Sequence, residues 1–409
     1  MEHTKDLPQY NPQTVAVKLT PVGERSVRME HPWLFSNSLK KLNKTPGPGD
    51  VAVLFDHRDN RVMGVGLMDP ESAIRIKMLH YGSGVTLDGG FFRRKIENAL
   101  TRREGFRKGI ATAYRLIFGE NDGLPGLIVD QYNDALVLKV YSLMWIPYLQ
   151  LLRALLIEIT QCEAIVFRMG RQFAKGAKDF PWTDGMLIFG ALDNESVLFQ
   201  EHGITFSANL VHGHKTGFFL DHRANRHRVG QLAKGRTVLD VFSYAGGFSV
   251  HCLVGGAKEV TAIDISEQAL LQAKSNADLN PHKGIFKTMA GDAFEILKDL
   301  IKAGQQFGLV VIDPPSFAKS AAEKERALKK YEVLSALGAQ LVAPSGWLVL
   351  ASCSSRVNID EFYEANQIGF DKIKAKLMLK ETHGHDEDHP ISFPEGAYLK
   401  CGYYKKVGA

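Results

Sequence analysis

The chain has 409 residues and a mass of 45.4 kDa, a length that predicts two or three domains rather than a single core. Hydrophobic residues make up 45 % and charged residues 23 % of it, ordinary values that exclude a disordered chain, a collagen-like fibre and a small disulfide scaffold. The formal net charge is +5, but residues 1–110 alone carry 18 basic and 12 acidic side chains. A polyanionic partner is therefore expected to meet the N-terminal part first.

The cysteines and the first residues indicate a reducing compartment. None of the four cysteines belongs to a Cys-x-x-Cys pair, which argues against a structural zinc site and against a disulfide framework. Residues 1–14 contain charged side chains and lack the apolar run of a secretory signal, so they are predicted to form a flexible tail. We therefore expect a cytoplasmic protein.

Residues 15–85 are predicted to form a small β-barrel. Short apolar runs alternate there with turns rich in Gly and Pro, at the spacing of short strands. The predicted strands are Thr14 to Leu19, Trp33 to Ser36, Asp50 to Phe55, Val62 to Met68 and Ala73 to Met78. Lys and Arg side chains decorate this segment, and on charge alone an RNA-binding surface and an ordinary solvated surface both stay open.

Residues 86–210 are predicted to form a basic connector helix, Phe91 to Lys108, followed by a central α+β domain. The apolar segment Tyr141 to Thr160 within it is interrupted by Gln150, Arg153 and Glu158, which favours a core helix over a membrane span. The predicted elements are a helix over 147–159 and strands at 126–130, 135–141, 164–168, 186–189 and 197–200.

Residues 211–409 are predicted to form an α/β domain. From residue 237 apolar strands alternate with helices, the pattern of a parallel sheet covered on both faces. The predicted helices are Glu267 to Asn276 and Glu323 to Val342, and the predicted strands are Thr237 to Phe242, Glu259 to Asp264, Ile285 to Ala290, Leu309 to Asp313, Trp347 to Ser352, Ile373 to Leu379 and Gly396 to Tyr404. Seven strands that end in a hairpin are typical of the Rossmann-like class I methyltransferases.

Three successive strand ends of this domain carry residues that suit a nucleotide. Asp240 closes the first strand and is followed by Gly246 and Gly247, where the backbone can approach a ligand at a helix N-terminus. Asp264 ends the second strand, where a carboxylate can accept hydrogen bonds from ribose hydroxyls. Asp292, after the third strand, lies where a base would sit. A glycine pair alone is usually only a turn, but three fitting strand ends in order indicate a nucleotide site.

The fourth strand decides between nucleotides. It ends in Asp313-Pro-Pro-Ser-Phe317, in which two prolines fix the backbone and hold Asp313 at the ligand-binding edge. A dinucleotide enzyme has no need of such a motif, and the Gly-x-Gly-x-x-Gly fingerprint is missing here. The sequence therefore favours S-adenosylmethionine with a methyl acceptor beside it.

Six segments together resemble the RlmI-type ribosomal RNA cytosine-C5 methyltransferases, over nearly the whole chain from about residue 15. They are His31-Pro-Trp-Leu-Phe35, Gly119-Glu-x-Asp-Gly-Leu-Pro-Gly-Leu-Ile-Val-Asp130, Lys215-Thr-Gly-Phe-Phe-Leu-Asp-His-Arg223, Asp240-x-Phe-x-x-x-Gly-Gly-Phe248, Asp313-Pro-Pro-Ser-Phe317 and Ser352-Cys-Ser354. The resemblance implies a PUA-like barrel that holds RNA, a central domain that widens the substrate surface and a catalytic domain that binds the methyl donor.

The resemblance also implies where the donor binds. In the family the Lys-Thr-Gly-Phe-Phe segment wraps the cofactor, although an ordinary capped helix start would look similar. Together with the strand ends, this predicts a donor site made of Phe219, Asp221, Arg223, Asp240, Phe242, Tyr244, Gly246, Gly247, Asp264, Ile265, Asp292, Ala293 and Asp313.

Methylation of cytosine at C5 needs a nucleophile, because the ring must first be activated by addition of a thiolate to C6. Cys353, between two serines at the end of the fifth strand, is predicted to be that nucleophile; a buried core cysteine is the alternative. Cys162, Cys252 and Cys401 are predicted to be core residues. Asp313 is expected to hold the N3 and N4 edge of the base. The predicted substrate-binding residues are Pro314, Pro315, Phe317 and His389.

Two other functions stay open. An exocyclic-amine methyltransferase uses an acid-Pro-Pro-aromatic motif, but here Ser316 separates the prolines from Phe317. A non-catalytic RNA-binding assembly factor would retain the fold without the chemistry. The other main class of RNA cytosine-C5 enzymes carries a second cysteine in the fourth-strand motif, and Pro315 and Ser316 stand in its place.

The densest group of metal-ligand side chains lies between His383 and His389, but its spacing lacks the pattern of a tetrahedral site. The family has an acidic-His-Pro step in this loop, so Asp388-His389-Pro390 is expected to border the acceptor pocket. We expect RNA as partner, with no metal and no membrane. A homodimer stays open.

Overall fold

A computed structural model describes residues 7, 10–106, 109, 111–318 and 320–407, and the chain divides into two compact units. Unit 1 comprises Met1–Phe199, Ser207–Leu220 and Glu387–Phe393, and unit 2 comprises Gln200–Phe206, Asp221–Asp386 and Pro394–Ala409. Part of the predicted tail and Lys108, the predicted end of the connector helix, lie outside the described residues. The domain boundaries at residues 85 and 210 stay predictions.

The N-terminal part of unit 1 is a six-stranded mixed sheet with one short helix. The helix is α1 (Pro21–Arg28), and the strands are β1 (Thr14–Leu19), β2 (Trp33–Phe35), β3 (Leu39–Leu42), β4 (Val51–Phe55), β5 (Val62–Met68) and β6 (Ile74–Tyr81), in the order β2-β6-β5-β4-β1-β3. All five strands predicted here are present. The sequence pattern does not predict α1 or β3, because each is short and mostly polar and lacks a clear apolar period.

The rest of unit 1 contains, among the described residues, a five-stranded sheet and three α-helices. Its helices are α2 (Gly89–Arg102), α3 (Leu149–Thr160) and α4 (Arg171–Gly176). Its strands are β7 (Ala113–Phe118), β8 (Leu127–Tyr132), β9 (Ala135–Val140), β10 (Ala164–Met169) and β11 (Leu187–Gly190), in the order β11-β10-β9-β8-β7. Helix α2 ends at Arg102, and the side chain of Arg103 donates two 2.7 Å hydrogen bonds to Asp122. Because Lys108 is not described, the predicted end of the connector helix stays a prediction.

One stretch among the described residues, Leu143–Thr160, is long and apolar enough to cross a membrane by length and composition. It consists of a 3-10 turn that contains Pro147, followed by α3. Leu149, Leu152 and Leu156 on α3 are fully buried in the hydrophobic core of unit 1. The predicted core helix is confirmed.

Two further strands, β12 (Ser196–Glu201) and β13 (Ile204–Asn209), form a hairpin at residues 202–203. Unit 2 is built on a seven-stranded sheet of β14 (Thr237–Val241), β15 (Glu259–Asp264), β16 (Ile285–Ala290), β17 (Phe307–Ile312), β18 (Val342–Ser352), β19 (Leu377–His383) and β20 (Lys400–Lys406), in the order β16-β15-β14-β17-β18-β20-β19. Its helices are α5 (Arg223–Leu232), α6 (Gly247–Val254), α7 (Glu267–Asp278), α8 (Ala293–Lys302), α9 (Lys324–Leu341) and α10 (Ile359–Lys372).

The predicted α/β fold of unit 2 is confirmed. Strands β14 to β18 pair in parallel, and β20 runs antiparallel to both β18 and β19. The first strand of the terminal hairpin begins at Leu377 rather than at Ile373, because Ile373 ends α10 as its C-cap. The parallel order places the carboxyl ends of β14, β15 and β17 at one edge, where ligands of such sheets bind.

Candidate active site

The register of unit 2 brings two predicted acids to the same level of that edge. Val241 on β14 pairs with Ile263 on β15 and with Ile312 on β17. The next residues after Ile263 and Ile312 are Asp264 and Asp313. Because β15 and β17 flank β14, these two acids lie on opposite sides of the loop that follows β14. The geometry confirms that these strand ends converge, although their roles stay predictions.

Asp240 lies one step inside this edge and is almost fully buried. Its Oδ2 accepts hydrogen bonds from the backbone N of Ser249 at 2.9 Å and from its Oγ at 2.6 Å, which fixes the start of α6. Burial raises the pKa of Asp240 to about 7, and the charges of Asp313 and Asp264 add to that effect against the hydrogen bonds from Ser249. The other oxygen, Oδ1, is buried without a hydrogen-bond partner among the described residues.

The loop after β14 is held open by unusual backbone angles. Phe242 and Tyr244 have φ values of +64° and +47°, and Gly246 has +77°. A Cβ at Gly246 would lie 2.7 Å from Cβ of Ala273, so both the angle and the space require glycine there. The backbone N of Tyr244 donates a 2.9 Å hydrogen bond to Oδ2 of Asp264. Such strained residues cluster at ligand sites.

The neighbouring strand ends contribute a carboxylate, an apolar side chain and a helix start. Oδ1 of Asp264 accepts a hydrogen bond from the backbone N of Ser266, and Ile265 between them is 77 % exposed. Asp292 caps α8, with Oδ1 accepting from the backbone N of Phe294 at 2.9 Å. Ala293 is buried directly behind it. These residues follow β15 and β16 at the same edge of the sheet.

Asp313 contacts a histidine that sequence reasoning did not single out. Nε2 of the buried His222 lies 3.4 Å from Oδ2 of Asp313. Nδ1 of His222 lies 3.3 Å from the amide nitrogen of Asn225, whose oxygen accepts a 2.9 Å hydrogen bond from the hydroxyl of Tyr403. Nδ1 of the ring thus faces the Asn225 amide, and Nε2 faces the carboxylate of Asp313.

The pKa of His222 is raised. Burial opposes the charged ring, but the carboxylates of Asp313 and Asp221 outweigh burial. His222 lies inside the Lys215 to Arg223 segment, and that position was the signal available in the sequence.

The fourth-strand motif continues along an aromatic wall. Pro314 is buried and Pro315 is exposed. The ring of Phe317 lies 5.4 Å from that of Tyr331, and Nζ of Lys330 sits 4.5 Å from the centre of the Phe317 ring. The Tyr331 hydroxyl forms a 2.8 Å hydrogen bond with Oγ of Ser352, the last residue of β18.

Cys353 is the accessible one of the four cysteines. It follows β18 directly and is half-buried, whereas Cys162, Cys252 and Cys401 are buried, and burial raises the pKa of all three thiols. Burial also raises the pKa of Tyr331, and the negative charges of Cys353 and Asp313 raise it further. Cys353 and Asp313 therefore both lie within electrostatic range of one hydroxyl.

Three residues of the predicted donor segment have contacts inside the protein. In unit 2, Oδ2 of Asp221 accepts a 2.8 Å hydrogen bond from the hydroxyl of Tyr398, and Arg223 forms a 3.1 Å ion pair with Asp386. In unit 1, Phe219 lies 4.7 Å from Nζ of Lys215. A structural role is thus visible for Asp221 and Arg223, and their contact with a donor stays a prediction.

His389 is buried in unit 1. Its Nδ1 lies 2.8 Å from Oδ1 of Asp388, and its ring packs edge-on against Phe118 at 5.0 Å. Asp388 in turn accepts a 2.9 Å hydrogen bond from the backbone N of Arg115. The expected position of His389 beside the acceptor pocket stays a prediction.

The acidic and histidine-rich loop does not assemble a ligand set. Within the described ranges, no group of three or more His, Cys, Asp or Glu side chains is arranged to hold a metal ion. His383 packs on Tyr403 at 4.9 Å, and His385 packs on Tyr398 at 4.5 Å. His383 and His385 thus pack on tyrosine rings within unit 2.

Comparison with known proteins identifies the family. A sequence model described as S-adenosylmethionine-dependent methyltransferase matches residues 115–366, more than half of the chain, and a PUA-like domain model matches residues 17–81. The chain belongs to the S-adenosylmethionine-dependent methyltransferases. Both the methyl donor and the PUA-like domain predicted from the sequence are thereby confirmed.

Curated relatives of this methyltransferase extend over almost its full length. A ribosomal RNA large subunit methyltransferase from Deinococcus radiodurans is 39 % identical over 400 residues, which cover 96 % of this chain and 98 % of the relative. A ribosomal RNA large subunit methyltransferase I from Shewanella frigidimarina is 33 % identical over 394 residues, covering 94 % and 98 %. The RlmI-type resemblance is confirmed.

The fold also matches a solved structure. A chain from Streptococcus mutans, assigned to the S-adenosylmethionine-dependent methyltransferases, superposes with a TM-score of 0.82 at 21 % identity, covering 95 % of this chain and 99 % of that one. At 21 % identity this likeness supports the fold alone.

Proposed function

We propose that this methyltransferase forms 5-methylcytosine in large-subunit ribosomal RNA through a covalent adduct between Cys353 and the base, in the cytoplasm. The observation that carries the proposal is the position of Cys353. It is the half-exposed cysteine at the carboxyl end of β18, on the strand next to the one that ends in Asp313. The names of the curated relatives support large-subunit ribosomal RNA as the substrate class.

The methyl donor fits the edge formed by β14, β15 and β16. S-adenosylmethionine supplies an electrophilic methyl group when it is bound. The buried Oδ1 of Asp240 without a partner, and the glycine that the backbone requires at Gly246, are the features expected where a ligand approaches closely. Asp264 offers a carboxylate for the ribose hydroxyls, and the exposed Ile265 offers an apolar surface for the adenine. Phe242, Tyr244, Gly247, Asp292 and Ala293 complete the proposed donor site.

The proposed reaction uses one thiol and one carboxyl group of the chain. The Cys353 thiolate adds to C6 of the cytosine, which forms a C–S bond and moves the ring electrons toward C5 and N3. Asp313 holds the N3 and N4 edge and stabilises the negative charge that develops at N3 by transferring a proton to it, which N3 returns to Asp313 when the thiolate leaves. C5 takes the methyl group, the C5 proton leaves to a base, and the C–S bond breaks to release the thiolate.

RNA is proposed to approach through the basic N-terminal part. Residues 1–110 have six more basic than acidic side chains by the counts above, and the PUA-like match lies within this segment. In the six-stranded sheet, a surface pocket of about 260 Å³ is lined by Lys18, Lys41, Asn43, Asn60 and the ring of Phe55. Such a mixture of cations and an aromatic ring suits phosphate and base contacts.

The decisive experiment replaces the nucleophile. Cys353→Ala is expected to abolish methyl transfer to ribosomal RNA while calorimetric titration shows unchanged donor binding, because the thiol reacts with the base and is not a donor ligand. RNA that contains 5-fluorocytosine is expected to trap the wild-type protein covalently, since fluorine at C5 does not leave as a proton does. Cys162→Ala, which removes a thiol elsewhere, is the matched control and is expected to keep activity.

The alternatives give different results in the same assay. An exocyclic-amine methyltransferase would stay active as Cys353→Ala and would form no adduct. An assembly factor would transfer no methyl group in either form. Either outcome would overturn the proposed chemistry and leave the family assignment intact.

A further inference from the structure

We propose that Lys400 is a positioning residue, which fixes the segment that carries Cys353 and stabilises the thiolate form of that cysteine. The inference rests on the proposed nucleophilic role of Cys353 and names the cation that such a nucleophile requires. A nearby cation is a common way in which proteins raise the thiolate fraction of a reactive cysteine.

The position of Lys400 follows from the register of the terminal hairpin. Lys400 is the first residue of β20 and pairs with Ser352, the last residue of β18 and the neighbour of Cys353. Its Nζ donates two hydrogen bonds of 2.6 Å, one to the backbone carbonyl of Ser354 and one to that of Val357. The ammonium group therefore ties down both ends of the turn that begins just after Cys353.

Lys400 is a buried cation without a carboxylate partner. It is 3 % exposed and forms no ion pair with any described residue. Burial lowers its pKa to about 8, and the negative charges of Cys353 and Glu361 oppose that effect. A buried ammonium that only structural carbonyls solvate is costly. A thiolate beside it would offset much of that cost.

The other charged and titratable groups around the pair do not replace Lys400. Tyr331, from α9, interacts electrostatically with both Cys353 and Asp313. The carboxylate of Asp313, which follows β17, disfavours a second negative charge nearby. Glu361, from α10, acts on Lys400 from a distance but forms its own ion pair with Lys324. Lys400 is thus a described cation at this site that interacts electrostatically with Cys353 and favours its thiolate.

A half-buried lysine on the same strand provides a matched control. Lys406, at the other end of β20, also donates to two backbone carbonyls, those of Ala339 at 3.0 Å and Val342 at 2.6 Å. Burial lowers its pKa as well. Lys406 therefore shares the structural role of Lys400 at the opposite end of the strand from Cys353.

The test measures the reactivity of Cys353 in the full-length protein without RNA. Iodoacetamide alkylation of Cys353 is followed by mass spectrometry between pH 5 and pH 10 in the wild type, Lys400→Gln, Lys400→Arg and Lys406→Gln. Glutamine keeps a donor for the carbonyls but removes the charge, whereas arginine keeps the charge.

We expect the wild-type alkylation profile to have its midpoint well below that of an ordinary cysteine, about 8.5. Lys400→Gln should move the midpoint up by about one pH unit, which corresponds to about a tenfold slower reaction near neutral pH. Lys400→Arg should restore most of the wild-type profile, and Lys406→Gln should leave it unchanged.

Three results would overturn the inference. They are a wild-type midpoint at or above about 8.5, an unchanged profile in Lys400→Gln, and an equal shift in Lys406→Gln. The first needs no variant, so a folding defect in Lys400→Gln does not prevent the test. Because alkylation requires neither RNA nor methyl transfer, failure here is distinct from an active Cys353→Ala protein, which would overturn the proposed function instead.

Discussion

Nε2 of His222 lies 3.4 Å from Oδ2 of Asp313, so the acid of the fourth-strand motif is backed by a fully buried imidazole. Asn225 and Tyr403 fix the opposite side of the ring through a chain of buried polar contacts. A carboxylate that is proposed to meet the N3 and N4 edge of a base needs a defined orientation, and these contacts restrict it. We therefore expect His222 to be a positioning residue for Asp313.

Replacement of His222 should lower turnover more than RNA binding. His222→Gln is expected to reduce kcat by about tenfold to 100-fold, because misplacement of a group at the reaction centre has effects of that size. His227→Gln, on the same helix, should change little, since His227 stacks on His202 at 4.0 Å. Steady-state methyl transfer to ribosomal RNA measures both variants, and equal kcat values in all three proteins would contradict the role.

The His222 and Asp313 pair should also make stability depend on pH. Because the pKa of folded His222 is raised above its ordinary value of about 6.5, the pair contributes fully below that pH and loses its contribution as pH rises through the folded pKa. Urea unfolding should therefore show a larger difference between wild type and His222→Gln at pH 6 than at pH 9. A difference in unfolding free energy between the two proteins that grows with pH would contradict a raised pKa of His222.

Glu201 should be among the most sensitive stability positions of unit 2. It is fully buried and binds Arg226 at 2.6 and 2.7 Å and His251 at 2.8 Å. Glu201→Ala removes a buried carboxylate from the buried Arg226 guanidinium and is expected to destabilise the fold by about 3 to 5 kcal/mol. Asp299→Ala breaks an exposed pair with Lys302 and should cost at most about 1 kcal/mol.

The same carboxylate predicts acid sensitivity. Burial opposes the charge of Glu201, but Arg226 and His251 outweigh burial and lower its pKa. The stabilisation is therefore complete above the unfolded value of about 4.3 and is lost as pH falls below it. Thermal melts of wild type and Glu201→Gln should approach each other as the pH is lowered from 5 to 3.

Gly246 allows a test of the donor site that separates strain from crowding. Gly246→Ala places a Cβ 2.7 Å from Ala273 at a φ of +77°, so both stability and affinity for S-adenosylmethionine should fall. Gly304 has a φ of +67° with open space around it. Gly304→Ala should thus cost only about 1 to 2 kcal/mol of strain, with calorimetric donor affinity unchanged.

RNA affinity should respond to the lysines of the N-terminal sheet. Lys18→Gln combined with Lys41→Gln removes two cations from the pocket beside Phe55 and should reduce the slope of log affinity against log salt by one to two. Donor affinity should be unchanged. Lys298→Gln, an exposed lysine paired with Glu295 on α8, serves as the control. A salt slope that is the same in all variants would place the RNA elsewhere.

Much of unit 2 is determined by local sequence pattern. Strands β15 and β16 have the bounds predicted from the sequence, and Ser266 caps α7, accepting a hydrogen bond from the backbone N of Ala269. A buried parallel strand is a continuous apolar run, and a helix start needs a capping side chain, so both leave a signal within a few neighbouring residues. The acids at the strand ends follow from the same pattern, which is why their convergence at one edge was predictable.

The elements α1, β3, β7 and β13 are absent from the predicted elements. The short α1 and β3 are largely polar, whereas β13 does alternate between buried and half-buried residues, and that period of two was an available signal. The sequence pattern also does not predict the contacts of Asp313 and of the segment after Cys353, for a different reason. His222 meets Asp313, and Lys400 meets the turn after Cys353, across long sequence separations. No local periodicity records such pairs, since they arise only when β17, β18 and β20 pair in one register. The sequence by itself thus determined the class of sheet and the edge at which its acids converge. Only the tertiary structure decided that the imidazole of His222 lies against Asp313 and that the ammonium group of Lys400 binds the turn after Cys353.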